Sequence, residues 1–123
     1  MKTVHDGIIL TDKCENESSS DVIRKIKYAF GEGKSLKIGH AGTLDPFATG
    51  LLIILLGQGT KLSRYVMAGQ KSYIATLELG IETDTLDPTG NIVRKSTVSH
   101  LSDQTIREKA SRFEGDIWQT PPA

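Results

Sequence analysis

Asp45 stands between Leu44 and Pro46 in a glycine-rich run. Pro46 fixes its own backbone angle and biases the preceding aspartate towards an extended conformation. A carboxylate held this way can serve as a nucleophile, a base, or an electrostatic partner for positive charge developing on a sugar. The same dipeptide also suits a plain turn, in which the carboxylate bonds to backbone amides. His40 lies five residues earlier and offers acid–base chemistry or a hydrogen bond to a phosphate or base, with a purely structural hydrogen bond as the plainer reading. Tyr73 follows Lys71 closely, where an aromatic ring can stack on a nucleobase or simply pack in a sheet. Asp84 and Asp87 share a carboxylate-rich turn, but it lacks the alternating acids and distal glutamate of an EF-hand loop, so no metal is expected there. The glycines of Gly57-Gln-Gly-Thr-Lys61 do not have Walker A spacing, which excludes phosphate-loop chemistry.

These residues need a scaffold, and the hydrophobic pattern predicts one. Gly7 to Leu10 reads as a short strand. Ser18, Ser19 and Ser20 supply N-cap candidates for a helix of about three turns ending near Gly31. Val22, Ile26, Ala29 and Phe30 recur at helical spacing, with Arg24, Lys25 and Lys27 mostly on the other side. From Gly39 to Gly50 the chain reads as a loop, and Leu51 to Leu56 as a buried strand closed by Gly57 and Gly59. Thr60 to Met67 is a short helix candidate. Ser72 to Leu79 alternates in the manner of a strand, Tyr73, Ala75, Leu77 and Leu79 facing one way and Ile74, Thr76 and Glu78 the other. Glu82 to Asn91 is a polar turn, and a last helix starts after Ser102 with Ile106, Ala110 and Phe113 on one face. The order of elements predicts an α+β fold with a mixed, mainly antiparallel sheet flanked by helices.

Bulk composition narrows the function classes. The 123 residues suit one small domain or part of a larger one, and 37% apolar content suffices for a core. Met1 to Ser20 carries Asp6, Asp12, Glu15 and Glu17 and does not read as a signal peptide. The apolar run Leu51 to Leu56 is far shorter than a membrane helix. Cys14 is the sole cysteine, so a reducing cytoplasm is the expected compartment, and neither a disulfide nor a cysteine metal site can form within the chain. Net charge is zero but unevenly spread. Residues 1–21 balance to −3, residues 22–75 to +6 and residues 76–123 to −3. Arg24, Lys25, Lys27, Lys34, Lys37, Lys61, Arg64 and Lys71 make the middle third a candidate phosphate footprint, or else a solvated basic face.

Taken together, the segments carry a resemblance. Gly39-His-Ala-Gly-Thr-Leu-Asp-Pro-Phe-Ala-Thr-Gly-Leu51 closely resembles the signature loop of the TruB family of pseudouridine synthases. The similarity continues in register through Gly57-Gln-Gly-Thr-Lys-Leu-Ser-Arg-Tyr65 and Lys71-Ser-Tyr73. It extends through Leu79-Gly-Ile-Glu-Thr-Asp-Thr-Leu-Asp-Pro-Thr-Gly90 and Phe113-Glu-Gly-Asp-Ile-Trp-Gln-Thr-Pro-Pro122. The Thr-Asp-Thr-Leu-Asp turn resembles the bacterial branch, which isomerises uridine 55 in the T arm of tRNA. The resemblance implies that Asp45 is the catalytic aspartate, that His40 helps accommodate a flipped nucleotide, and that Tyr73 stacks on the target base. It implies that Asp87 joins an ionic network around the active site. It implies tRNA as partner, no metal, no organic cofactor, no membrane, and a monomer at full length.

Two departures accompany it. The family shows Asp-Lys-Pro-x-Gly before the first helix, whereas this chain has Asp12-Lys13-Cys14-Glu15-Asn16, so a looser or differently shaped turn is expected there. The family also continues beyond the Pro-Pro motif, with a lysine–glycine segment, a second active-site tyrosine, an arginine partner for the aspartate, and an RNA-binding domain. Residues 1–123 are therefore expected to be the N-terminal part of the catalytic domain, with little turnover alone. The rival readings are a non-catalytic tRNA-binding module and a remnant that does not fold.

Overall fold

The computed structural model describes residues 5–31 and 36–120. Its first element, β1 (Gly7–Lys13), pairs antiparallel with β3 (Gly50–Leu56) from Gly7 opposite Leu56 to Lys13 opposite Gly50. The short β2 (Ile38–His40) pairs with the other edge of β3, Ile38 opposite Leu56 and His40 opposite Ile54. The sheet order is thus β1-β3-β2, with the most apolar segment in the centre. Its sequence Gly-Leu-Leu-Ile-Ile-Leu-Leu is a continuous apolar run, and the strand is buried towards its end while Leu51 stays exposed.

Helix α1 (Ser19–Ala29) covers one face of this sheet. Its Val22 joins Leu36, Leu52, Ile54 and Leu56 in the buried core, with Ile9, Ile23, Ile26, Phe30, Ile38 and Leu44 packed around them. Ser18 is the N-cap and forms a capping box with Asp21: the Asp21 amide donates to Ser18 Oγ at 3.1 Å, and the Ser18 amide donates to Asp21 Oδ2 at 3.0 Å. The Ser18 hydroxyl, then the Ser18 amide, with Arg24 beyond them, hold the Asp21 carboxyl below its ordinary range. The helix closes at Phe30, and Gly31 follows with φ +67°, the left-handed conformation favoured after a helix end.

A 3₁₀ turn (Gly57–Leu62) leads into α2 (Ser63–Met67). The turn sits against β1 because Gly59 has no side chain; a Cβ there would collide with the Gly7 carbonyl. Residues 74–123 form a second compact unit, separate from residues 1–73. Within it β4 (Ile81–Thr83) and β5 (Ile92–Lys95) make an antiparallel hairpin, with a register shift between Glu82 and Thr83. Helix α3 (Asp103–Ala110) is capped by Ser102, whose Oγ accepts the Thr105 amide, and runs into a 3₁₀ turn (Ser111–Phe113).

The architecture is α+β, as the pattern predicts. Three readings change in detail. Gly39 and His40 belong to β2, so the signature loop proper is residues 41–49. The polar stretch Glu82 to Asn91 is a hairpin turn that begins inside β4. Ser72 to Leu79 is not a strand: residues 71–78 adopt no helix or strand, and Tyr73, Ile74 and Leu77 are exposed. Alternation sets which way side chains point, but a strand needs a neighbour for its backbone, and none of the described residues supplies one. The expected apolar face of the last helix is not buried either, Phe113 being 70% exposed. Among the described residues, no helix is long and apolar enough to cross a membrane.

Candidate functional site

Loop 41–49 leaves β2 and returns as β3, so both of its ends are fixed by the sheet. The Ala41 amide donates to the Ile53 carbonyl at 2.9 Å and the Ala41 side chain is buried. Gly42 adopts φ +109°, a backbone that side chains rarely accept. His40, at the end of β2, bonds through Nδ1 to the Gly42 carbonyl at 2.7 Å. A carbonyl only accepts, so Nδ1 carries the hydrogen, and in the neutral ring Nε2 keeps a lone pair. Structural anchoring thus leaves the second ring nitrogen free of that bond.

Asp45 is exposed on this loop. Its backbone carbonyl accepts the Ala48 amide at 3.0 Å, forming a tight turn. Its carboxylate has no hydrogen-bond or ion-pair partner among the described residues. The turn is thus built from the backbone, and the side chain is left over for other work.

What holds the loop comes from the other end of the sequence. Ser19, only 3% exposed at the start of α1, donates through Oγ to the Leu44 carbonyl at 3.2 Å and accepts the Leu44 amide at 3.1 Å. Lys13 is 1% exposed at the end of β1. Its Nζ has three donors and meets three carbonyls: Cys14 at 2.9 Å, Glu17 at 2.6 Å and Pro46 at 3.2 Å. The Asn16 amide adds a further bond to the Pro46 carbonyl at 2.8 Å. The residues on both sides of Asp45 are therefore fastened to the segment between β1 and α1. The turn at residues 12–16 is not loose, despite lacking the proline and glycine: Asn16 adopts the left-handed conformation, φ +61°, and Lys13 bonds across the turn. Sequence reasoning missed Lys13 and Ser19. A lysine after an apolar run reads as a surface charge, and Ser19 reads as one of three capping serines. Only the family's Asp-Lys pattern pointed to this turn at all.

The remaining candidates fall elsewhere. Tyr73 is 71% exposed at the end of the first unit. Asp87 belongs to the second unit, where its Oδ1 accepts the Thr85 hydroxyl at 2.8 Å, the Thr89 amide at 2.8 Å and the Thr89 hydroxyl at 2.6 Å. The bonds from Thr89, then that from Thr85, hold its carboxyl below the usual aspartate range. Asp84 accepts the Asn91 amide at 2.9 Å in the same turn. No ion pair to Asp87 occurs among the described residues.

The basic segment is partly occupied with its own surroundings. Arg24 pairs with Asp21 at 2.8 Å and Lys25 with Glu17 at 2.5 Å. Arg64 lies 4.6 Å from the centre of the Tyr65 ring, and Lys71 donates to the Met67 carbonyl at 2.6 Å. Lys34 and the Pro121-Pro122 pair lie outside the described residues. An open groove lined by Asn16, Glu17, Asp21, Arg24, Lys25 and Tyr28 runs along α1 and does not include Asp45.

The loop is thus anchored in the sheet of an α+β fold, follows a histidine bonded to its own backbone, and carries a carboxylate that no described residue engages. The family model described as TruB family pseudouridylate synthase (N terminal domain) matches residues 27–123, and the chain belongs to that family. A tRNA pseudouridine synthase B of Francisella tularensis subsp. tularensis (strain WY96-3418) is 42% identical over 118 residues, which is 95% of this chain and 38% of that protein. One from Hydrogenovibrio crunogenus (strain DSM 25203 / XCL-2) is 44% identical over 117 residues, again 95% of this chain and 38% of the relative. The chain spans well under half the length of these relatives.

Proposed function

We propose that this chain is the aspartate-bearing, N-terminal part of a tRNA pseudouridine synthase catalytic domain, acting in the cytoplasm on uridine 55 of the T arm. The observation that carries the reading is the contrast between two carboxylates. Asp87 Oδ1 is engaged three times over in its own turn, whereas no described residue engages the Asp45 carboxylate, on a loop fastened from both sides.

A uridine inside a folded arm has to leave its stack to be reached, which costs a few kcal/mol. Tyr73, with its exposed ring, is assigned as the platform that recovers about 1–3 kcal/mol by stacking. In the isomerisation the bond between C1′ and N1 breaks, the uracil turns, and C1′ bonds to C5. The C5 proton is lost to water and N1 gains one, so the reaction balances without a redox partner. Asp45 beside the anomeric carbon stabilises the positive charge on the sugar or bonds to the intermediate. His40 Nε2 is positioned to accept a hydrogen bond from the flipped nucleotide.

A second reading, a catalytically incomplete piece that binds tRNA without turning it over, is favoured by one observation: residues 71–78 are unpaired and exposed. One experiment separates the two. The chain is incubated with tRNA tritiated at uridine C5, alone and with the downstream portion of the Francisella relative. The expected outcome is T-arm affinity but little tritium release alone, and release on complementation. Asp45→Ala is expected to lower that release at least a thousandfold and leave tRNA affinity within about twofold. Undiminished release by Asp45→Ala overturns the assignment of Asp45.

A further inference from the structure

We propose that Ser19 is a positioning residue for Asp45, acting through the peptide groups of Leu44. The proposal rests on the assignment of Asp45 as the reacting carboxylate for its functional meaning, but not for its geometry. A hydroxyl has one donor and two acceptor lone pairs, so a single Oγ can serve a carbonyl and an amide together. Ser19 does this for both polar groups of residue 44, at 3.2 and 3.1 Å, from a site only 3% exposed. Its neighbour Ser18 already supplies the helix cap, so Ser19 is not needed for that role. The Leu44 side chain packs against the buried core at the same time. Residue 44 is thus held by backbone and side chain, and the next residue is Asp45.

On the far side Pro46 restricts the backbone of Asp45 by the bulk of its ring. Its carbonyl is fixed by Lys13 Nζ and the Asn16 amide. With both neighbours anchored, the Cα and Cβ of Asp45 have little freedom, and the carboxylate is presented by a rigid base without being bonded itself. Preorganisation of this kind places a reacting group without spending its lone pairs on the scaffold. Ser19→Ala removes the only side-chain partner of the Leu44 amide and carbonyl among the described residues, while the sheet and the α1 cap stay intact.

The test is amide exchange and backbone NMR on the chain itself, comparing Ser19→Ala, Ser19→Thr and Ser18→Ala. Ser18→Ala weakens α1 without touching Leu44, so it reports what general destabilisation does. In Ser19→Ala the Leu44 amide is expected to exchange at least about tenfold faster, and the Asp45 backbone order parameter to fall, while Ile54 keeps its protection relative to global unfolding. Ser19→Thr keeps the hydroxyl and is expected to restore both signals. Leu44 exchange at the unaltered rate in Ser19→Ala overturns the proposal, as does the same local loosening in Ser18→Ala. None of these signals depends on turnover, so a chain that fails the tritium assay leaves this test intact.

Discussion

At the scale of single residues, two aspartates of the same type have opposite fates, and hydrogen bonding decides which. Asp87 accepts three bonds on one oxygen from Thr85 and Thr89, all of which favour its charged form. Its carboxyl therefore binds a proton less readily in the folded hairpin than in the unfolded chain, where the ordinary value is 3.8. The sign follows: the hairpin's stabilisation by Asp87 is fully present above that value and is lost as pH falls below it towards the depressed folded value. The Thr89 amide resonance is expected to hold steady from neutral pH down to about 5 and to shift towards its random-coil position below the ordinary carboxyl range. In Asp87→Asn the acid-dependent part of that change is expected to vanish. An unaltered acid transition in the variant contradicts the role given to the carboxylate.

The residues that support Asp45 were the hardest to read. Asp45 and His40 stood out because glycine, proline and threonine around them announce a loop, and loops on a rigid scaffold carry chemistry. Lys13 and Ser19 carry no such mark. Their importance comes from burial and from carbonyls 25 and 33 positions away in the chain, which a linear pattern does not encode.

At the scale of elements, β3 shows what local pattern does determine. Leu52, Ile54 and Leu56 lie on the face under α1, and Ile54 is fully buried, whereas Leu51 is 62% exposed. Six consecutive apolar residues look alike by composition, but the pleat turns alternate ones to opposite faces, and the second face is open to water at Leu51 and closed at Leu55. Ile54→Ala removes a side chain from the centre of the core and is expected to cost about 2–5 kcal/mol, the cavity included. Leu51→Ala is expected to cost under about 1 kcal/mol, because most of that side chain already meets water. Urea unfolding of the two variants measures the difference, and equal losses contradict the assigned face.

The strand at Leu51 to Leu56 and the helix after Ser18 were legible for this reason: each satisfies its backbone and its apolar face with nearby or strongly patterned partners. The stretch Ser72 to Leu79 has an equally good alternation and yet forms no strand. Its backbone groups need a ladder from somewhere else, and its two faces need cover. Periodicity describes the supply of side chains and says nothing of whether a partner exists.

At the scale of the whole molecule, large exposed apolar side chains occur in both units, and two of the most exposed stand on the unpaired segment. Ile74 and Trp118 are fully exposed, Leu77 is 75% exposed, and Val93 and Leu86 are well over half exposed. Large apolar side chains in an extended segment with open backbone groups invite pairing with any compatible edge. A soluble chain carrying such a segment is expected to self-associate as concentration rises, through residues 72–79. Sedimentation velocity from about 5 to 200 μM is expected to show a rising average mass for the unaltered chain. Ile74→Lys together with Leu77→Lys places like charges along the open segment and is expected to keep the chain monomeric over that range, since facing lysines repel in a strand pair. Because both side chains stand in solvent, the double variant is expected to unfold in urea at the same midpoint as the parent. If it still associates, the sticky surface lies elsewhere on the molecule. If it unfolds earlier, residues 74 and 77 are making contacts within the chain that their exposure denies. A monomeric and equally stable double variant assigns association to this one segment.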